Sequence, residues 1–382
     1  MMLLGRGDYH TFSADGAPHV YLVPSAAVFR LDPPSAAVLD VLREEQLDAM
    51  TIADRLADRF PRLLVQETVD ELLSAQAIRT VVAPAAAPKA EGPRKRIPLT
   101  TLVMNVTSKC NLSCKYCYEY GDDRLSEPAT KPRFMSEETA RQSVDFMIAE
   151  SGNSPKVHLT FFGGETLLNF KVLKYALSYA RTKGAEVGKS VDASLTTNAT
   201  LLRDEIIDWM VDENVGVTVS MDGAREQQDA QRVFANGQGS YDLVRPRVEA
   251  LLKRHTRRPI GARVTLTRDN LEVREIYHHL KHELGFWEVG FAPVTTKWQR
   301  DYAIADEGFE YMLGGFQALA QEYLETSLSG RHHGFSNVRD TLEEIHKGVA
   351  KAYPCGAGLG LLGVATDGDV ALCHRFAGSD TH

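Results

Sequence analysis

The spacing of apolar residues divides the chain into regions of different period. Over residues 1–82, extended patterns at Tyr9–Ala14, Val20–Val23 and Val28–Leu31 are separated by Gly16-Ala17-Pro18 and Pro24-Ser25, residues that end strands and start turns. Three stretches of helical period follow. Pro34–Glu45 carries Ala36, Val38, Leu39 and Leu42; Thr51–Phe60 carries Ile52, Leu56 and Phe60; Val65–Ala77 carries Val69, Leu72 and Leu73. Strands with three short helices predict a small winged-helix-like module, serving either packing or the capture of a peptide on a strand edge. Residues 83–97 have neither period. The run APAAAPKAEGPRKR predicts an exposed, semi-rigid linker whose Arg94, Lys95 and Arg96 are solvated.

Beyond Ile97 the two periods alternate. Strand patterns occur at Leu99–Val106, Val157–Phe162, Val191–Thr197, Gly216–Met221, Gly261–Thr267 and Glu288–Val294. Helical patterns occur at Ser136–Glu150, Leu167–Lys183, Arg203–Glu213, Tyr241–Arg254, Glu272–Leu284 and Glu307–Ser327. Ser136, followed by Glu137 and Glu138, predicts an N-cap with an acidic first turn. Six β-α units predict an α/β fold with a parallel sheet and its chemistry at the C-terminal strand ends. A closed barrel needs eight units, so the pattern leaves a partial barrel and an open doubly wound sheet as the choices.

Composition narrows the setting. With 382 residues, 43% hydrophobic and 25% charged, the chain is globular rather than disordered or fibrous. A formal charge of −8 argues against a nucleic-acid partner. No apolar run approaches the length of a membrane span, and the apolar start is too short for a signal peptide. The five cysteines are Cys110, Cys114, Cys117, Cys355 and Cys373. An odd number, three of them within eight residues, fits metal ligation in a reducing, cytoplasmic setting better than disulfides.

The densest chemistry follows the first strand of the alternating region, in Cys110-Asn-Leu-Ser-Cys114-Lys-Tyr-Cys117. Three thiolates on one loop can hold three irons of a [4Fe–4S] cube and leave the fourth open. Structural zinc would want a fourth Cys or His nearby, and none follows within forty residues. His278 and His282, four apart on one helix, read as an exposed face. His332-His333 reads as a solvated loop, and Lys253–Arg258 as cations at a helix C-terminus.

The C-x3-C-x2-C spacing, with the aromatic Tyr116 before the third cysteine, resembles the radical S-adenosylmethionine (SAM) enzymes. The resemblance implies a partial (β/α)6 barrel. It also implies that the amino and carboxylate groups of SAM chelate the open iron, and that reductive cleavage yields a 5′-deoxyadenosyl radical. It extends to later strand ends in order. Gly163-Gly164-Glu165 is similar to the family's GGE motif, the glycines admitting the methionyl part of SAM and Glu165 accepting from its ammonium. Thr197-Asn198 stands in a stretch similar to Thr-Asn-Gly-Thr near the ribose, and Ser220 and Arg232 match positions that contact polar groups of SAM. In the run DGAREQQDAQR, Gln228 replaces a customary His. Asp229 is then either a proton acceptor near the substrate or an ion-pair partner of Arg232.

Cys355, Gly368 and Cys373 give C-x12-G-x4-C, which resembles the opening of a SPASM domain. Residues 346–382 would then hold ligands of an auxiliary [4Fe–4S] cluster, without that domain's later cysteines. Thr366–Cys373 reads as a hairpin about Asp367-Gly368. Residues 1–82 resemble the PqqD-like elements that bind leader peptides, with residues 98–345 as the radical SAM core. Together these resemble the peptide maturases, most of all those that mature quinohemoprotein amine dehydrogenase. That implies intrapeptidyl Cys thioether formation on a ribosomally made polypeptide bearing a leader, with a flavodoxin- or ferredoxin-type reductant. Formylglycine formation, as in anaerobic sulfatase maturases, and a non-catalytic iron–sulfur scaffold that binds peptide are the alternatives.

Overall fold

A computed structural model of the chain describes residues 2–81, 97–117, 132–348 and 355–377. Apart from Ile97, the expected linker lies outside the described residues. The chain divides into two units, one made of Met1–Lys95 with Asp340–Cys355, the other of Arg96–Arg339 with Gly356–His382.

The first unit runs β1 (Leu4–Arg6), β2 (Tyr9–Ala14), β3 (Ala17–Leu22), β4 (Ala27–Arg30), α1 (Pro33–Val41), α2 (Ala49–Arg55), α3 (Arg62–Ser74) and β5 (Ile78–Thr80). β2, β3 and β4 form an antiparallel meander, and β1 pairs with β5. Asp32 caps α1 by accepting from Ser35 N–H, and Asp48 caps α2 by accepting from Met50 and Thr51 N–H. Leu22, Val38, Leu42, Ile52, Val65, Val69 and Ile78 close the core. Among the described residues, β2 and β4 each keep one unpaired edge.

The second unit begins with β6 (Thr101–Thr107), α4 (Glu137–Glu150) and β7 (Lys156–Gly163). After a 3-10 turn at Thr166–Asn169 come α5 (Phe170–Glu186), β8 (Ser190–Thr197), α6 (Asp204–Asp212), β9 (Gly216–Ser220) and α7 (Arg225–Gln231). There follow α8 (Tyr241–Arg254), β10 (Ile260–Leu266), α9 (Val273–His278) with a π turn at His279–Glu283, β11 (Glu288–Pro293) and α10 (Asp306–Leu328). Then come α11 (Ser336–Lys347), whose residues from Asp340 on belong to the first unit, β12 (Leu361–Val364) and β13 (Val370–Ala371). The sheet order is β11-β10-β9-β8-β7-β6-β12-β13, parallel throughout except for β13. Six β-α units thus form the expected parallel sheet, and the C-terminal segment adds two strands beside β6.

Residues 356–377 therefore share the unit of the parallel sheet, whereas 340–348 fall in the first unit. β12 hydrogen-bonds β6, from Leu361↔Thr101 to Val364↔Met104. The expected hairpin is present, with Val364 opposite Val370 and Gly368 at φ +99° in its turn.

Alternation along each strand separates two faces. Val157, Leu159 and Phe161 of β7 are buried with Val144, Met147 and Leu173, and a fully buried side chain of this size contributes about 1.5–3 kcal/mol. The intervening His158, Thr160 and Phe162 are less buried and point to the opposite face. On that face, at the C-terminal strand ends, the polar residues collect.

Candidate functional site

The loop after β6 is held by the next strand. Gly164 N–H donates to Thr107 O (2.9 Å) and Glu165 N–H to Lys109 O (2.8 Å). A β-carbon on Gly163 would lie 2.3 Å from Thr107 O, and one on Gly164 would lie 2.1 Å from Lys109 O. Only glycine allows that approach. The glycines' missing side chains thus admit the cysteine loop itself. On its other side the loop is tied by Ser113 N–H to Val233 O (2.7 Å) and Lys115 N–H to Gln231 O (3.3 Å).

Cys110, Cys114 and Cys117 are all half-buried on this loop, and among the described residues no two cysteines form a disulfide. Burial pushes the Cys110 thiol up to about 11 and the Cys114 thiol up to about 12. Among the described residues no three His, Cys, Asp or Glu side chains converge on one metal ion. A cube does not need such convergence, since each of its irons takes its own thiolate.

The three cysteines border a cavity of about 580 Å³. Tyr116, Gly163, Gly164, Thr197, Asn198, Ser220 and Arg232 line it as well. Phe162, Arg263, Thr265, His374 and Arg375 also line it, and no Asp or Glu does among the described residues.

Glu165 lies behind this lining and is fully buried. Its carboxylate accepts from Thr197 Oγ1 (2.7 Å), Asn198 N–H (2.8 Å) and Leu167 N–H (3.1 Å), which locks the ends of β7 and β8 together. Burial raises its pKa against the pull of these bonds. Asn198 Nδ2 reaches Asn111 Oδ1 (3.1 Å) and Cys110 Sγ (3.7 Å), and Asn111 Nδ2 donates to Thr200 Oγ1 (2.8 Å).

Arg232 is 7% exposed and sits over the Tyr116 ring at 5.5 Å. Its Nε lies 2.9 Å from Asp222 Oδ2, an ion pair in which the N–H is not well aligned for a hydrogen bond. Burial works against its charge, yet Asp222 beside it raises its pKa further. A guanidinium on the wall of a cavity lined by no carboxylate fits the carboxylate of SAM. With three spaced thiols and an arginine on one cavity, the residues present fit the cluster and SAM, although the space at Gly163 and Gly164 is taken by the cysteine loop and not left for SAM.

Asp229 is placed differently. Its carboxylate accepts from Tyr241 N–H (2.8 Å) at the start of α8, packs where a Gly239 side chain would be, and does not line the cavity. It is Asp222 that pairs with Arg232. Cys373 is half-buried beside His374, whereas Cys355 is exposed and belongs to the other unit. The His374 ring lies 4.4 Å from Phe162, and burial, aided by Arg375, lowers its pKa to about 4. His333 corrects the expectation of a solvated loop. It is 6% exposed, stacks on Tyr277 at 4.7 Å and meets the Tyr277 hydroxyl at 3.0 Å. His332 stacks on Trp287 at 4.2 Å.

Asp222, Asn111 and Arg263 went unnoticed in the sequence as site residues. Asp222 carried a signal, an acidic residue two positions beyond Ser220 at a strand end, but its partners are far away in the chain.

Residues 104–280 match the sequence profile of the Radical SAM superfamily. A serine-type anaerobic sulfatase-maturating enzyme of Bacteroides thetaiotaomicron is 30% identical over 236 residues, covering 59% of this chain and 55% of that protein. The chain spans about half the length, or less, of the first curated relatives it matches. Among solved structures, native anSMEcpe with bound AdoMet is similar at a TM-score of 0.62 and 22% identity, covering 73% of this chain and 75% of that one. Streptococcus suis SuiB bound to precursor peptide SuiA is similar at 0.50 and 13% identity, covering 100% and 85%. At such identities the likeness is one of fold. By sequence, residues 104–280 are similar to the radical SAM superfamily, and the likeness of fold to the AdoMet-bound enzyme extends over 73% of the chain.

Proposed function

We propose that this chain is a radical SAM enzyme that modifies a ribosomally made polypeptide, forming thioether bonds from Cys within it. The observation that carries the reading is the cavity of about 580 Å³ that Cys110, Cys114, Cys117 and Arg232 border together at the strand ends. The three cysteines would hold the cluster, and Arg232 with Ser220 the carboxylate of SAM. Bound together, cluster and SAM supply a hydrogen-abstracting radical. The protein's own part is orientation and exclusion of water. Glu165 fixes the Thr197–Asn198 strand end, and Tyr116 and Phe162 give the cavity apolar walls. The open edges of β2 and β4 support the reading of the N-terminal unit as a peptide-binding element, since an extended peptide adds to an unpaired strand.

A second reading, formylglycine formation, is favoured by the similarity to the Bacteroides sulfatase-maturating enzyme. Reconstituted protein with SAM and a reductant should release 5′-deoxyadenosine, and a scaffold would release none. Mass spectrometry of a small polypeptide co-expressed with the chain separates the chemistries. A thioether removes two hydrogens and blocks a Cys from alkylation, whereas formylglycine exposes an aldehyde that hydrazides capture. Absence of 5′-deoxyadenosine from a cluster-loaded chain would overturn both readings.

A further inference from the structure

Asp222 is fully buried one residue beyond the C-terminal neighbour of β9, outside the cavity lining. Its two oxygens meet three different segments. Oδ1 accepts from Thr265 N–H on β10 (3.0 Å), and Oδ2 accepts from the Tyr116 hydroxyl (2.5 Å) and lies 2.9 Å from Arg232 Nε. Its own N–H donates to Gln228 Oε1 (2.9 Å), and Gln228 Nε2 donates in turn to Ser240 Oγ (3.0 Å). Gln228 thus has a definite job, as the support of Asp222.

Tyr116 stands between Cys114 and Cys117, so a restraint on its hydroxyl restrains that half of the cysteine loop. The backbone ties from Ser113 and Lys115 end on Val233 and Gln231, the residues flanking Arg232. One carboxylate therefore fixes both the loop and the segment on which the loop rests. The Tyr116 hydroxyl is the donor in its contact with Asp222 Oδ2. A buried carboxylate is costly unless paired, and this one is paired on every side.

Its charge matters as much as its position. Arg232 and Asp222 carry opposite charges 2.9 Å apart behind the cysteine loop, so each offsets the other's field there. Without Asp222, the full positive charge of Arg232 would act on the thiolates and on any cluster they hold.

We propose that Asp222 is a positioning residue of the radical SAM site, which sets the place of the Cys114–Cys117 half-loop through Tyr116 and the local charge through Arg232. The charge half of the proposal rests on the cluster reading above, and the positional half does not. Two variants separate them. Tyr116→Phe removes the hydroxyl and keeps the charge. Asp222→Asn removes the charge and leaves one oxygen for which the Tyr116 hydroxyl and Thr265 N–H compete, so its alkylation rate is read beside its potential.

The positional half is read on the metal-free chain by the rate at which iodoacetamide alkylates Cys114 and Cys117, followed by peptide mass spectrometry. Losing a hydrogen bond to an ionised acceptor should speed the Tyr116→Phe reaction roughly tenfold. The charge half is read on the reconstituted chain as the midpoint potential of the cluster, by redox titration with electron paramagnetic resonance. Asp222→Asn should move it to a more positive value, because an unneutralised Arg232 favours the added electron. Unchanged alkylation in Tyr116→Phe overturns the positional role. An unchanged or more negative potential in Asp222→Asn overturns the electrostatic one. If Asp222→Asn fails to fold, the potential of an Arg232→Gln variant, expected to shift negative, decides the charge half. A wild-type chain that assembles no cluster would refute the cluster reading and the charge half together, while the alkylation rates would still judge the positional half.

Discussion

Gly164→Ala tests how the cysteine loop is held. The added β-carbon would lie 2.1 Å from Lys109 O, 2.4 Å from Lys109 C and 2.8 Å from Cys110 N, whereas real β-carbons essentially never approach within 3.0 Å. All three obstacles are backbone atoms, so no side chain can swing aside and the loop must retreat by roughly 1 Å. Gly164 is not at positive φ, so contact alone sets the penalty. The retreat breaks the bond from Glu165 N–H to Lys109 O and stretches that from Gly164 N–H to Thr107 O. A buried hydrogen bond contributes about 1 kcal/mol net, and a partner left unpaired costs about 1–3 kcal/mol. The expected loss is therefore about 2–4 kcal/mol. Urea unfolding of the metal-free chain measures it, and iron analysis after anaerobic reconstitution should show a parallel fall in cluster content. An alanine variant equal to the unaltered chain in both measurements refutes the reasoning.

In Glu165→Gln, the amide NH2 must face a donor now served by a carboxylate oxygen, so the melting temperature should drop by an amount equivalent to about 1–3 kcal/mol. No change would mean the three hydrogen bonds are dispensable. Burial lowers the pKa of His333 to about 4. Between that value and the ordinary 6.5 the unfolded chain takes up the proton and the folded chain does not. Stability should therefore fall as pH drops from about 6.5 toward about 4, by on the order of 3 kcal/mol at most, and His333→Asn should flatten that slope in acid titrations of unfolding. Gly314, inside α10, has open space where a β-carbon would go. Gly314→Ala should raise stability by about 0.5–1 kcal/mol, and a lower unfolding midpoint would contradict this.

The six strands that build the site were readable to within two residues because alternation of buried and less buried positions is written directly into them, as in Val157–Phe162. Helices whose faces carry little apolar residue were not. α7, REQQDAQ, has no apolar stripe and is organised by polar contacts such as Gln228 with Ser240. β1 and β5 are three residues each, and their pairing joins positions more than seventy apart, which no local period records. The cysteines, the glycine pair and Arg232 were legible as types at a spacing. Their physical roles were less so. Nothing in Gly163-Gly164 says that the space above it is filled by the chain's own Lys109, and nothing near Asp222 names Tyr116 or Thr265. Such partners are set by the sheet order, and become visible only once the strands are placed side by side.

The pairing of β12 with β6 has a consequence for synthesis. The strand that leads into the cysteine loop gains its partner on one side, β7, some fifty residues later, but its partner on the other only after about 260 residues, as Thr100 and Gly360 mark. Contacts at such separation form slowly, because the chain must close a long loop before they repay it. On the ribosome, β6 would emerge early and wait with one edge bare, a hazard for mispairing between nascent chains. The same delay keeps one flank of the cysteine-bearing strand open while most of the sheet assembles, so a strand made late completes the one with which the sheet begins.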